Sequence, residues 1–217
     1  MSIARLKLHG YWRSTAAYRV RIALELKGVV YDQVTHDLRV GGHREAEYLE
    51  IAPQGLVPAL DVGGAVLTQS LAIIEWLEET HPQPPLLPAR PHERAIVRAM
   101  ADAIACDIHP LNNLRVLQVL RADFGASPAR VEAWIGRWIG EGFTALEAMI
   151  SRHGGNFAFG DAPSLADCHL VPQVYSAERF KVDLAAFPRL LAVAGRAGEL
   201  APFAAAHPGR QLDADPA

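Results

Sequence analysis

Val57-Pro58-Ala59-Leu60-Asp61-Val62-Gly63-Gly64-Ala65-Val66-Leu67-Thr68-Gln69-Ser70-Leu71-Ala72-Ile73-Ile74-Glu75 decides how the first third of the chain folds. Two short runs of β-type residues, 57–62 and 65–67, flank the Gly63-Gly64 pair. Glycine takes the positive φ of a tight turn without steric cost, so the spacing predicts a hairpin. At Gln69-Ser70 the pattern becomes helical and predicts a helix from Ser70 to about Glu79, with Ser70 as its N-terminal cap.

The partners of that hairpin lie upstream. Leu6-Lys7-Leu8-His9 alternates as a strand does, and Tyr31–His36 reads as a second strand. Between them, Ala17, Val20 and Leu24 fall on one helical stripe over Ala16–Leu26, and Gly28 stands where a C-terminal cap glycine belongs. The resulting order, β-α-β-(α)-β-β-α, is that of a thioredoxin-like α/β domain.

Downstream, the composition changes once. His81-Pro82-Gln83-Pro84-Pro85-Leu86-Leu87-Pro88-Ala89-Arg90-Pro91 places five prolines in eleven positions and reads as an extended connector. Beyond it, amphipathic segments over about 93–121, 129–152, 165–180 and 188–204 predict an all-helical part. The expected domains are 1–82 and 91–217, joined by a linker at 83–90. His109-Pro110 predicts a kink in the first long helix. Ser164-Leu165-Ala166-Asp167 has the S-x-x-[DE] pattern of a helix N-terminus, which makes Asp167 a cap, and Cys168 reads as a small buried hydrophobe. The polar tail Gln211–Ala217 is expected to be disordered.

Lys and Arg number 21 against 24 Asp and Glu, a formal net charge of -3. No general basic field exists to attract nucleic acid or an anionic membrane, so any anion recognition is local. No stretch approaches roughly 18 uninterrupted apolar residues, and Met1-Ser2-Ile3-Ala4-Arg5 lacks the apolar core of a signal peptide. Two cysteines, Cys106 and Cys168, form no CxxC, which suits a reducing cytoplasm. The nine histidines show no HExxH or clustered ligand spacing, so no metal site is expected.

Arg13-Ser14-Thr15-Ala16-Ala17-Tyr18-Arg19-Val20-Arg21-Ile22-Ala23-Leu24 resembles the signature R-S-S-C-S-W-R-V-R-I-A-L of the zeta class of glutathione transferases, which includes the maleylacetoacetate isomerases. Val57-Pro58-Ala59-Leu60 and Gln69–Glu75 are similar to the two glutathione-holding motifs of that family. Asp107–Arg115, Leu170–Val174 and Glu178–Leu184 fit the same class, and the likeness runs from about residue 6 to 211. One position departs: Ala16 stands where the class has its cysteine, so no protein thiol can act there.

The resemblance implies a glutathione transferase fold, a homodimer and glutathione as a catalytic cofactor. Ser14, with Thr15 as its understudy, would donate a hydrogen bond that keeps the glutathione sulfur ionised. A hydroxyl at this place also caps the helix in any protein. Lowering a thiol pKa by two units needs about 2.7 kcal/mol. A hydrogen bond to a charged group supplies about 1.5–3 kcal/mol, and a helix N-terminus about 0.3–2 kcal/mol. The two suffice without a general base. Val57, ahead of a cis Pro58, would pair its main chain with the cysteinyl unit of glutathione; a plain loop proline is the alternative. Gln69 and Ser70 would receive the γ-glutamyl carboxylate. His43 would reach the glycyl end unless it is a solvated loop residue. His109 and Asn113 would border the glutathione and substrate sites.

Arg13, Arg115 and Arg179 would hold the carboxylates of a small dicarboxylate substrate, because a guanidinium pairs with a carboxylate through two parallel hydrogen bonds. Arg19 and Arg21 read as surface solubilisers or ion-pair partners. The activity implied is the glutathione-dependent cis–trans isomerisation of maleylacetoacetate to fumarylacetoacetate, by thiolate addition, rotation and elimination, within aromatic amino acid catabolism. Three alternatives stay open. Maleylpyruvate isomerase uses the same chemistry, and the stretch Cys106–Pro110 is similar to that subgroup. A general conjugating or dehalogenating transferase and a non-catalytic transferase-like module are the others.

Overall fold

A computed structural model describes residues 5–215; residues 1–4, which open the N-terminal stretch read for a signal peptide, and 216–217, the end of the polar tail, lie outside the described residues. The chain divides into two compact units, one formed by residues up to 85 together with those from 199 onward, the other by 86–198. The C-terminal residues, which composition groups with the helices, therefore pack with the first unit.

In the first unit, β1 (Leu6–Gly10), α1 (Thr15–Lys27) and β2 (Tyr31–Thr35) form a crossover, and β3 (Ala59–Asp61), β4 (Val66–Thr68) and α3 (Ser70–Thr80) follow a short helix α2 (Ala46–Ile51). The sheet order is β2-β1-β3-β4. β1 runs parallel to β2 and antiparallel to β3, with Leu8 opposite both Gln33 and Leu60. The parallel pair needs the helical crossover that α1 provides. The β3–β4 hairpin closes through Val62 N–H to Ala65 C=O at 3.0 Å and Asp61 Oδ1 accepting from Gly63 N–H at 2.8 Å. α1 ends at Gly28, whose φ of 63° only glycine adopts freely.

α1 packs against both α3 and α9 (Ala201–Ala206) and is buried almost all round. This overturns one expectation. Arg19 and Arg21 are not surface residues: they are 2% and 0% exposed. Lys27 at the end of the same helix is also buried and pairs with Glu78 of α3 and the Pro84 carbonyl. The tail is corrected as well over 211–215. Asp213 accepts from Trp12 N–H at 2.9 Å, and Asp215 pairs with Arg39 at 2.8 Å.

In the second unit, the segment expected to be one kinked helix over 93–121 is broken into four pieces. α4 (Pro91–Asp102) passes into a wide helical turn at Ala103–Ile108, a tight turn at Pro110–Asn112, and then α5 (Leu114–Ala122). Proline at 110 lacks the N–H that a continuing helix requires, so the chain restarts rather than bends. α6 (Pro128–His153), α7 (Leu165–Arg179) and α8 (Pro188–Glu199) complete the unit. Pro202 stands at the start of α9, so the segment expected as 188–204 is two helices.

α7 is buried over most of its length, its polar Asp167, His169 and Gln173 included. Its start is fixed by Asp167, which is fully buried. Asp167 Oδ2 accepts from Ser164 N–H at 2.8 Å and Ser164 Oγ–H at 2.7 Å, and Oδ1 accepts from Ala158 N–H at 2.8 Å. Cys168 is buried beside it.

Candidate active site

In the first unit the chain leaves β1 through a turn at Tyr11–Ser14, closed by Ser14 N–H donating to Tyr11 C=O at 3.0 Å. Ser14 then caps α1, its Oγ accepting from Ala17 N–H at 3.2 Å. A serine hydroxyl carries one donor besides its acceptor lone pairs, so capping leaves the O–H proton available. Ser14 is half-buried and Thr15 buried. The first turn of α1 holds no acidic side chain, so nothing offsets the positive potential of the helix start. Arg13 is half-buried, its guanidinium 5.4 Å from the centre of the Trp12 ring.

The second group of residues precedes and follows the hairpin. The Val57–Pro58 peptide is cis. Among the described residues, no hydrogen bond engages the Val57 N–H or C=O, which leaves both for an extended ligand. The Val57 side chain packs against Tyr48, Ala52 and Ala59, and the Tyr48 hydroxyl donates to the Leu56 carbonyl at 2.7 Å.

Ser70 was expected to cap α3, but Gln69 occupies the cap and Ser70 is the first helical residue. Gln69 has φ 70° and ψ 117°, a conformation that costs a non-glycine residue about 1–3 kcal/mol and clusters at functional sites. Its side chain makes no capping bond and instead donates to Gln54 Oε1 at 2.8 Å. Beneath the helix start, Arg19 Nη1 donates to Ser70 Oγ at 3.4 Å. A buried guanidinium, a hydroxyl and the first N–H groups of α3 thus form a place for a carboxylate.

Arg19 and Gln54 are residues that sequence reasoning missed for this site. A signal for Arg19 existed: Ala17, Tyr18, Val20, Ile22, Ala23 and Leu24 surround it with apolar side chains on every face of the helix. Gln54 carries no comparable signal.

His43 sits in a one-turn helix at Gly42–Arg44, its Nδ1 buried and without a partner among the described residues. Burial lowers its pKa below the usual imidazole value, with Arg44 and His36 adding to the effect, so the ring is neutral at neutral pH. Nearby, His9 Nδ1 and His36 Nε2 meet at 3.0 Å, and Tyr48 packs on His36 with ring centres 4.1 Å apart.

The remaining candidates lie in the second unit. Asn113 caps α5, its Oδ1 accepting from Arg115 N–H at 3.2 Å. Arg115 is exposed, and Arg179 is exposed at the end of α7 with its guanidinium 4.4 Å from the centre of the Phe180 ring. His109 is half-buried between the wide turn and the 110–112 turn. α6 fixes that region: Trp134 Nε1–H donates to the Leu111 carbonyl at 2.8 Å, and Gly142 lets the Ile108 side chain approach where a Cβ would overlap it. Wide helical turns recur at functional sites. Among the described residues, no group of three or more His, Cys, Asp or Glu side chains could hold a metal ion, and no helix is long and apolar enough to cross a membrane.

Residues 8–85 match the family model described as the N-terminal domain of glutathione S-transferase. Maleylacetoacetate isomerase of Pseudomonas aeruginosa is 51% identical over 211 residues, covering 96% of this chain and 98% of that protein. A holo structure of maleylpyruvate isomerase, a bacterial zeta-class glutathione S-transferase, superposes with a TM-score of 0.95 at 50% identity, covering 96% of this chain and 100% of that one. Maleylacetoacetate isomerase of Methylobacterium extorquens AM1, solved with malonate and glutathione bound, gives a TM-score of 0.93 at 42% identity, covering 97% of this chain and 100% of that one. With a serine at the head of α1, a cis-proline loop before β3 and identity of about half over nearly its whole length, the chain belongs to the zeta class of the glutathione S-transferase family, among the maleylacetoacetate and maleylpyruvate isomerases.

Proposed function

We propose that the chain is a glutathione-dependent cis–trans isomerase acting on maleylacetoacetate. The observation that carries this is Ser14, which caps α1 through a lone pair and keeps its O–H for a ligand at the helix start. The donor set fits the tripeptide. A hydroxyl and a helix N-terminus suit a thiolate, the Val57 N–H and C=O suit a peptide unit, and Arg19, Gln69 and Ser70 suit the γ-glutamyl carboxylate. The glycyl carboxylate falls to His43.

The chemistry that bound glutathione supplies is reversible nucleophilic attack on the activated double bond. Every other task belongs to the chain. Ser14 Oγ–H donates to the sulfur and, with the α1 N-terminus, lowers the cost of ionising it. Val57 holds the peptide in extended form, which orients the sulfur. Arg13, Arg115 and Arg179 bind the carboxylates of the substrate and offset the negative charge that develops on its carbonyl oxygen. His109 and Asn113 border the sites. A homodimeric assembly and a cytoplasmic setting in aromatic amino acid catabolism complete the proposal; they rest on family membership.

Maleylpyruvate is the second reading, since relatives named for the two substrates stand at 51% and 50% identity. Parallel time courses on both cis acids, each with and without glutathione, test the proposal. Trans product should form only with glutathione and faster from maleylacetoacetate. Equal rates without glutathione would overturn it, and a faster reaction on maleylpyruvate would reassign the substrate.

A further inference from the structure

The turn that presents Ser14 is held from outside. Arg21, 0% exposed, lies under it with its guanidinium donating to Trp12 C=O at 2.9 Å, Ala206 C=O at 3.0 Å and Tyr11 C=O at 3.5 Å. Ala206 is the last residue of α9. From there the chain runs back over the same turn, where Asp213 Oδ2 accepts the Trp12 N–H at 2.9 Å and Oδ1 accepts from Gln33 at 3.4 Å. Two positions on, Asp215 pairs with Arg39, whose guanidinium sits 5.8 Å from the centre of the Tyr11 ring. Three main-chain groups of the two residues before Arg13 and Ser14 thus take partners from Arg21 and Asp213, and both of these residues tie the turn to the C-terminal segment. A buried guanidinium is costly unless carbonyls or carboxylates satisfy it, so Arg21 is placed by this network as much as it places the turn.

We propose that the C-terminal segment 206–215 is a strap that positions Ser14, with Asp213 and Arg21 as its positioning residues. The proposal rests on the reading that the Ser14 hydroxyl serves the glutathione sulfur. A turn freed from the strap would carry Ser14 away from the sulfur by fractions of an ångström, and displacement of a positioned group by one ångström costs up to about a hundredfold in rate.

The decisive variant is Asp213→Ala, with Asp213→Asn as its conservative partner. Asparagine keeps an acceptor for the Trp12 N–H, and its NH2, in place of the oxygen that accepts from Gln33, can be met by the Gln33 carbonyl once that amide turns over. The readouts are the thiol pKa of bound glutathione, from ultraviolet thiolate absorbance across pH, kcat near neutrality, and calorimetric affinity for S-methylglutathione. The sign separates the causes. Removing a carboxylate while Arg13, Asp37 and Arg39 remain makes the surroundings more positive, which would lower the thiol pKa. Loss of positioning raises it.

Asp213→Ala should raise the thiol pKa by about half to one unit and, from a parent value of about 6.5, lower kcat about 1.5- to threefold at pH 7. S-methylglutathione affinity should stay unchanged, and Asp213→Asn should remain within about twofold of the parent. An unchanged or lowered thiol pKa in Asp213→Ala would overturn the strap. A parent protein that does not lower the thiol pKa at all would sink the Ser14 reading itself, and the strap with it.

Discussion

Replacing Ser14 by alanine removes two interactions whose sizes can be separated. The first is the cap: Ala17 N–H loses its acceptor, which costs about 1 kcal/mol of stability. For a protein of this length that corresponds to a Tm lower by about 2–4 °C. The second is the hydrogen bond to the sulfur, worth about 1.5–3 kcal/mol when the acceptor is charged. At 1.36 kcal/mol per unit, its loss raises the bound thiol pKa by about 1.1–2.2 units. If the intact site lowers a thiol from about 8.5 to about 6.5, the variant titrates at about 7.6–8.7. The thiolate fraction at pH 7 then falls from about 0.8 to between about 0.2 and 0.02, and kcat drops about 4- to 40-fold. The deficit should shrink towards pH 9, where both forms are largely ionised. The assay is kcat against pH at saturating glutathione, beside a thiolate absorbance titration and a thermal melt. A melt shifted by the cap's amount with an unmoved titration would refute the argument and leave Ser14 as a cap alone.

Three further outcomes follow from other parts of the structure. Arg115→Ala and Arg179→Ala should each raise the KM for the dicarboxylate about ten- to a hundredfold, the worth of a charged hydrogen bond, with glutathione affinity intact; a loss of glutathione affinity in place of the KM effect would reassign them. Gly142→Ala should destabilise by about 1–2 kcal/mol, because its methyl group overlaps the Ile108 side chain. Gly140→Ala on the same helix meets nothing within 4 Å and should stabilise by about 0.5–1 kcal/mol, so thermal melts of opposite sign are expected. Asp167→Asn turns an amide N–H towards a main-chain or hydroxyl donor and should cost about 1–3 kcal/mol at pH 7. Burial pushes the Asp167 carboxyl up to about 6 against the hydrogen bonds it accepts. The folded protein therefore binds more protons than the unfolded chain between about pH 4 and 6, and the stability contributed by this group falls as pH rises through that window. The penalty of Asp167→Asn should accordingly narrow from pH 5 to pH 7, and a penalty that grew instead would contradict the assignment.

Much of the first unit was legible because its signals are local. Gly63-Gly64 between two β-type runs, Gly28 after an apolar stripe, and Ser14 ahead of a helical pattern each carry their own physical reason. The candidate site was marked differently, by the resemblance of the stretch around Ser14 and of Val57-Pro58 and Gln69-Ser70 to zeta-class motifs. What stayed hidden depends on tertiary packing. Arg19 and Arg21 carry charge on a helix that α3 and α9 enclose, and only their apolar neighbours hint at it. The order of residues 211–215 arises from partners such as Trp12 and Arg39, about two hundred positions away. Gly142 is unremarkable within α6 until Ile108 is laid against it. The break between α4 and α5 was foreshadowed by Pro110, whose strength as a helix stop depended on the wide turn ahead of it.

A glutathione sulfur held at Ser14 and returned at every turnover yields many product molecules per glutathione, and that ratio can be counted. Substrate in large excess over glutathione, with free thiol titrated before and after, should convert to the trans isomer to completion with the thiol titre unchanged. Product that stops at one equivalent of glutathione, with the titre falling in step, would contradict the account and identify a conjugating enzyme.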